Sequence, residues 1–244
     1  MIDLYIGGAE EKLDAYRLAE LEFDSVHLDA KRLIHGVQNF EKSLNGPRLQ
    51  HIPELNSMFT NVMFEFDEPY DILDMIEEYA TLIVYPERYE SFFESIAIEK
   101  RCPVITKWLP SYENYKNIMT WTHAPVEMRK RIAGVARMYG LKLHGGPGVA
   151  KQDLLNFRYA SVTSSRWLSA RTYGTRAIFF DDWVRVYSRK KNDYGLIRAA
   201  CDKHGVDYAV VEAVRAGDNT KEAIWEMEKL TLGAYKEWMI KLKQ

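Results

Sequence analysis

Asn61-Val62-Met63-Phe64-Glu65-Phe66, then Tyr70 to Tyr79, then Thr81-Leu82-Ile83-Val84-Tyr85: these three consecutive segments decide the fold. The first and third are short apolar runs without regular polar alternation, the pattern of a parallel strand buried on both faces. The segment between them carries apolar residues at helical spacing. Strand, helix and strand in that order is the unit of an α/β fold.

Working outward, the same unit recurs along the chain. Strand-like runs are read at Leu4 to Ile6, Ser25 to Leu28, Asn61 to Phe66, Thr81 to Tyr85, Pro103 to Lys107, Asn117 to Trp121, Leu141 to His144 and Tyr159 to Thr163. Helical segments between them include Glu10–Leu21, Tyr70–Tyr79, Tyr89–Lys100, Val126–Tyr139 and a short Lys151–Asn156. Eight units favour closure into a (β/α)8 barrel over the alternative, a doubly wound open sheet, which usually has fewer strands and a switch point. The barrel strands are expected within about residues 2 to 165 of one domain spanning 1–244. A carboxy-terminal elaboration, about 175–244, is expected to pack on the barrel: strand-like Arg176–Phe180, a helix from Tyr194 to Lys203, strand-like Tyr208–Val211, and a long amphipathic helix from Thr220 to Leu242. The stretch from Ile34 to Phe59, with Asn45-Gly46-Pro47 and Ile52-Pro53, is long for a barrel connection and reads as a lid or insertion, or as a surface excursion.

The totals fit one such domain. The 244 residues are 47% apolar, 13% aromatic and 28% charged, which supplies a core and excludes a disordered class. Thirty-three basic and 35 acidic residues leave a net charge of −2 and a pI of about 6.3, so there is no global positive field to gather nucleic acid. A nucleic-acid partner would need a local basic patch. Cys102 and Cys201 have no metal-ligand spacing, so neither a zinc site nor a disulfide framework is expected, and no metal or cofactor is assigned. No run approaches a membrane span and the amino terminus lacks a leader pattern, which points to the cytoplasm and to no membrane partner.

In such a barrel the chemistry sits at the carboxyl ends of the strands. Polar residues expected there are Asp29, Glu65, Asp67, Glu87, Lys107, His123, His144, Thr163 and Ser164. Carboxylates, histidines and a lysine converging on one face suit acid–base work on a polar ligand. Asp29 and Asp67 can equally be helix caps or turn residues, the histidines can be satisfied core residues, and Lys107, beside Trp108, can snorkel outward. Glu65 and Asp67 alternate about Phe66, so they can face one side as a carboxylate pair. His144-Gly145-Gly146-Pro147-Gly148 lets backbone approach a ligand closely, or makes a tight turn, and lacks phosphate-loop spacing. Arg166, Arg171 and Arg176, with Trp167 and Tyr173, can grip phosphates and stack on a base, or form a solvated turn.

Three segments resemble the tRNA-guanine transglycosylase superfamily, including its branch that places a deazaguanine in DNA. Pro125-Val126-Glu127-Met128 is similar to the family's GGLxVGE segment. Leu143-His144-Gly145-Gly146-Pro147-Gly148 followed by Asp153-Leu154-Leu155 resembles MGVGxPEDLL. Tyr159-Ala160-Ser161-Val162-Thr163, leading to Arg171 and Gly174-Thr175, resembles DCVxPTRxARxGT. The likeness covers residues 117 to 176. It implies a barrel that binds or exchanges a guanine or deazaguanine base in DNA or tRNA, with a purine-like small molecule as partner. The family's nucleophilic aspartate reads Thr163 here, its paired glycines read Trp121-Thr122 or Thr122-His123, Arg171 is offset by one residue, and its cysteine-rich zinc site is absent.

The expected site is therefore Asp29, Asp67, His144 and Thr163 for chemistry, with His123, Gly145, Gly146, Arg166 and Arg171 for substrate. Asp29 or Asp67 would replace the missing nucleophile and His144 would move protons. The alternatives are a barrel that has lost catalysis and serves as a binding or structural protein, phage-derived by this reading, and an unrelated hydrolase built on the Glu65/Asp67 pair.

Overall fold

A computed structural model of the chain describes residues 2–35, 52–107, 112–121, 123–149, 151–188 and 193–244. The middle of the long stretch (36–51), Trp108 and Thr122 lie outside the described residues.

Eight parallel strands close into a barrel in sequence order: β1 (Asp3–Gly7), β2 (Ser25–Asp29), β3 (Asn61–Glu65), β4 (Leu82–Pro86), β5 (Arg101–Val104), β6 (Asn117–Thr120), β7 (Lys142–Gly145) and β8 (Tyr159–Ser164). Helices lie between them: α1 (Lys12–Glu20), α2 (Ala30–His35), α3 (Ile52–Met58), α4 (Leu73–Glu77), α5 (Glu90–Phe93), α6 (Val126–Tyr139) and α7 (Lys151–Asn156). The eight-stranded barrel expected from the sequence is thus present, with carboxy-terminal helices after it. Several boundaries differ from expectation: the helix expected from Tyr70 to Tyr79 is only Leu73–Glu77, and a strand not expected from the sequence runs from Trp183 to Tyr187. The fifth strand ends at Val104, leaving Lys107 exposed in the following loop, and the helix expected from Tyr89 to Lys100 stops at Phe93.

Cross-strand register settles which side chains fill the barrel, because residues aligned across a sheet share a face. Tyr5 aligns with Thr163, Gly7 with His27, Asp29 with Glu65, Val84 with Cys102, and Val104 with Met119. Tyr5, Met63, Leu82, Val84, Cys102, Val104 and Met119 form one buried interior cluster. The barrel is therefore plugged by side chains and not open through its length.

By its internal contacts the chain divides into two compact units, 2–164 and 165–244. The second unit contains α8 (Ser169–Tyr173), β9 (Arg176–Phe180), β10 (Trp183–Tyr187), α9 (Tyr194–His204), α10 (Tyr208–Ala216) and α11 (Lys221–Lys243). The strands β9 and β10 make a hairpin through Asp181 and Asp182, with φ of 55° and 60°, the backbone of a two-residue turn matched to strand twist. Tyr208–Val211, strand-like in sequence, is helical. Asp207 caps it by accepting the Ala209 N–H, and Val211 and Val214 bury one helical face. No helix among the described residues is long and apolar enough to cross a membrane.

Candidate functional site at the barrel mouth

The second strand places the site's central group. In Ser25-Val26-His27-Leu28-Asp29, Val26 and Leu28 bury outward while His27 and Asp29 turn to the interior face. His27 is 6% exposed, and its Nε2 lies 2.7 Å from Glu65 Oε2 on the adjacent strand, an ion-pair approach without hydrogen-bond alignment. Burial disfavours a charged imidazole, but the Glu65 carboxylate at contact distance, with Glu10 and Asp29 nearby, outweighs it and holds the His27 pKa above the ordinary histidine value.

Glu10 reaches this group through the loop after β1. Gly8, at φ 103°, takes a backbone conformation costly for other residues and turns the chain so that the Glu10 carboxylate is buried. Its Oε1 accepts the backbone N–H of Asp29 at 2.9 Å. Burial raises the Glu10 pKa, and the hydrogen bond from Asp29 opposes that rise. The Asp29 side chain is 44% exposed and lies near Arg32, whose backbone N–H it accepts at 3.2 Å. Farther round the rim, Glu87 after β4 accepts both the N–H and the hydroxyl of Thr106 after β5, at 3.2 and 2.6 Å. One largely enclosed imidazole among three carboxylates, with Asp29 open to solvent, can hold, deliver and recover a proton.

The residues expected from sequence separate on this structure. Asp29 belongs to the cluster. Asp67 does not: exposed beyond β3, it accepts from Lys31 at 2.8 Å and from the Tyr70 hydroxyl at 2.6 Å. Burial works against its charge, but those two hydrogen bonds lower its pKa. Glu65 and Asp67 therefore each take a different cation and do not act as a pair. His144 is 4% exposed, with Nδ1 2.7 Å from Ser161 Oγ and Nε2 3.2 Å from Asn117 Oδ1. Asn117 opens β6 at the end away from the mouth, and its amide donates to the carbonyls of Glu99 and Arg101. Burial, with the Lys142 charge added, pushes the His144 pKa down to about 3, so this ring is a neutral link in the barrel floor.

Thr163 faces the interior beside Tyr5, 2% exposed, and its hydroxyl has no hydrogen-bond partner among the described residues. Gly145 faces outward, where a Cβ would stand 2.5 Å from Val149 Cγ2, so it serves packing. Gly146 shares the inward face, with ordinary van der Waals room for a Cβ. His123 is exposed past β6. In the second unit, Arg166 is exposed, Arg171 is bound to the wholly buried Glu228, and Arg176 and Trp167 are 0% exposed, which removes both from any ligand. Tyr173 remains exposed.

Sequence reasoning passed over His27 and Glu10. His27 was accessible to it, since it alternates with Asp29 on one strand and so shares its face. Glu10 had no local signal, because its inward turn depends on the Gly8 conformation. No group of three or more His, Cys, Asp or Glu among the described residues is arranged to hold a metal ion.

No family model matches this chain, and no curated protein does. Among solved structures it is similar to orotidine 5'-monophosphate decarboxylase from Methanocaldococcus jannaschii complexed with the inhibitor BMP, at 14% identity over 69% of this chain and 91% of that one, with a TM-score of 0.44. It is also similar to a variant of the citrate synthase SbnG, at 14% identity over 69% and 91% with a TM-score of 0.48. A native KDPGal structure aligns at 12% identity over 97% of this chain and 94% of that one, with a TM-score of 0.41. No chemistry is carried across at these values.

Proposed function

We propose that the chain is a barrel enzyme that transfers protons at its mouth, with His27 and Glu65 as the proton-handling pair and Asp29 as the carboxylate open to a ligand. The observation that carries this reading is the 2.7 Å approach of His27 to Glu65 in a nearly closed setting. The surrounding carboxylates keep the ring protonated to higher pH than a free histidine, which suits a general acid near neutrality.

The substrate class rests on the resemblance across residues 117–176: a guanine or deazaguanine base in DNA or tRNA. The Asp29 carboxylate attacks the sugar C1′ and the glycosidic C–N bond breaks. Its electron pair leaves with the base, which takes the proton held by His27. The incoming base returns a proton to His27 as it displaces the carboxylate, so the enzyme is regenerated. The target base has to leave its stack to reach a barrel mouth.

Purified protein incubated with labelled guanine or 7-deazaguanine and each nucleic acid tests this reading. Label enters the polymer with the native chain, is lost with Asp29→Asn, and is reduced by His27→Gln. Nucleoside mass spectrometry on cells with and without the protein gives the same answer in vivo. No incorporation by folded protein favours the second reading, a barrel that binds without chemistry. The burial of Thr163 at the position of the family's nucleophile supports that reading.

A further inference from the structure

The helical layer over β7 is uneven: α6 runs 14 residues and α7 only six. Where the layer thins, a cleft of about 240 Å³ opens between the last turns of α6, the start of β7 and the connection into β8. Its floor is apolar, made by Ala133, Ala136 and Leu143, which are 7%, 4% and 2% exposed. Arg137 and Arg158 flank it. Neither guanidinium makes an ion pair or hydrogen bond with any described residue, unlike Arg129, which is bound to Asp153.

We infer that this cleft binds a small anion with an apolar body, a short-chain carboxylate or phosphate monoester, at a site separate from the mouth. Two arginines leave two full positive charges unneutralised. The carboxyl end of α6 opposes them with only about half an elementary charge, and the Gly140 and Leu141 N–H groups already cover part of it by donating to the Ala136 carbonyl. Guanidinium groups suit planar or tetrahedral oxyanions because their donors can bind two oxygens at once. The apolar floor gains by covering a hydrocarbon segment, and a purely inorganic ion would leave that gain unused. The volume lies below the roughly 300–1,000 Å³ of drug-sized sites, so the ligand is fragment-sized.

Isothermal titration of the full chain with octanoate, 1-octanol and inorganic phosphate tests the assignment. Octanoate is expected to bind with one-to-one stoichiometry, at least about tenfold tighter than either octanol, which lacks the charge, or phosphate, which lacks the apolar body. The double variant Arg137→Gln/Arg158→Gln weakens octanoate at least about tenfold, and Ala136→Met, which fills the floor, does the same while keeping both charges. Octanoate that fails to bind, or binds both folded variants as it binds the native chain, overturns the proposal. So does phosphate binding as tightly as octanoate. None of these readouts depends on the mouth, so base exchange and this site stand or fall apart.

Discussion

His27 Nε2 and Glu65 Oε2 stand 2.7 Å apart on neighbouring parallel strands, although the register aligns His27 with Met63 and Glu65 with Asp29. The contact therefore runs diagonally between the two strands, and it turns a core histidine into a proton-holding group. Glu65→Gln removes the contact and the nearest charge that offset burial of the ring, so the His27 pKa falls. NMR titration of the imidazole reads this directly. The raised native pKa stabilises the fold fully below the unfolded value of about 6.5 and is lost as pH rises through the native value. Denaturant unfolding should show that alkaline decline in the native chain and a weaker one in Glu65→Gln.

His144 acts with the opposite sign. Its native pKa of about 3 lies below the unfolded value, so the unfolded chain binds a proton that the folded chain refuses as pH falls from about 6.5 toward 3. Each pH unit in that window costs up to about 1.4 kcal/mol. In His144→Gln this component of the acid-side slope disappears while mouth chemistry at neutral pH is kept. Urea unfolding of both chains across the window checks the slope, and an exchange assay checks the chemistry.

Arg129 Nε donates to Asp153 Oδ2 at 2.8 Å, with both side chains nearly buried, which ties α6 to α7. Asp153→Asn leaves a buried guanidinium without its carboxylate and is expected to cost about 3–5 kcal/mol. A shift of the urea midpoint at unchanged slope measures it.

Gly145 and Gly146, adjacent in sequence, should respond differently to one methyl group. Gly145→Ala meets the Val149 side chain and costs about 1–3 kcal/mol of stability. Gly146→Ala, with room on the mouth side, leaves the melting temperature in place and perturbs ligand affinity. Thermal unfolding and a binding titration on each variant separate packing from recognition.

Arg171→Gln strips Glu228, 0% exposed, of its cation and lowers stability by roughly 1–3 kcal/mol, whereas Arg166→Gln leaves stability unchanged. Only the Arg166 variant is expected to reduce retention of DNA or tRNA on a filter without a change in melting temperature.

The sequence by itself determined the number and order of the eight barrel strands, though not the strand β10 (Trp183–Tyr187) of the second unit. Runs such as Leu82-Ile83-Val84 carry the both-faces-buried pattern within their own few residues, and periodicity is a property of the chain alone. It also placed Asp29 at a strand end. It misread Tyr208–Val211, where a capping aspartate and a buried neighbour one helical turn on outweigh a β-branched run. Only the tertiary structure decided which polar side chains meet. His144 and His27 sit on similar strands, yet one is tied to Asn117 in the floor and the other to Glu65 at the mouth. Those partners are set by the stagger of strands around the closed barrel, and Glu10 joins them through a glycine turn. Closure fixes both from residues far apart in the chain, so no local pattern records them.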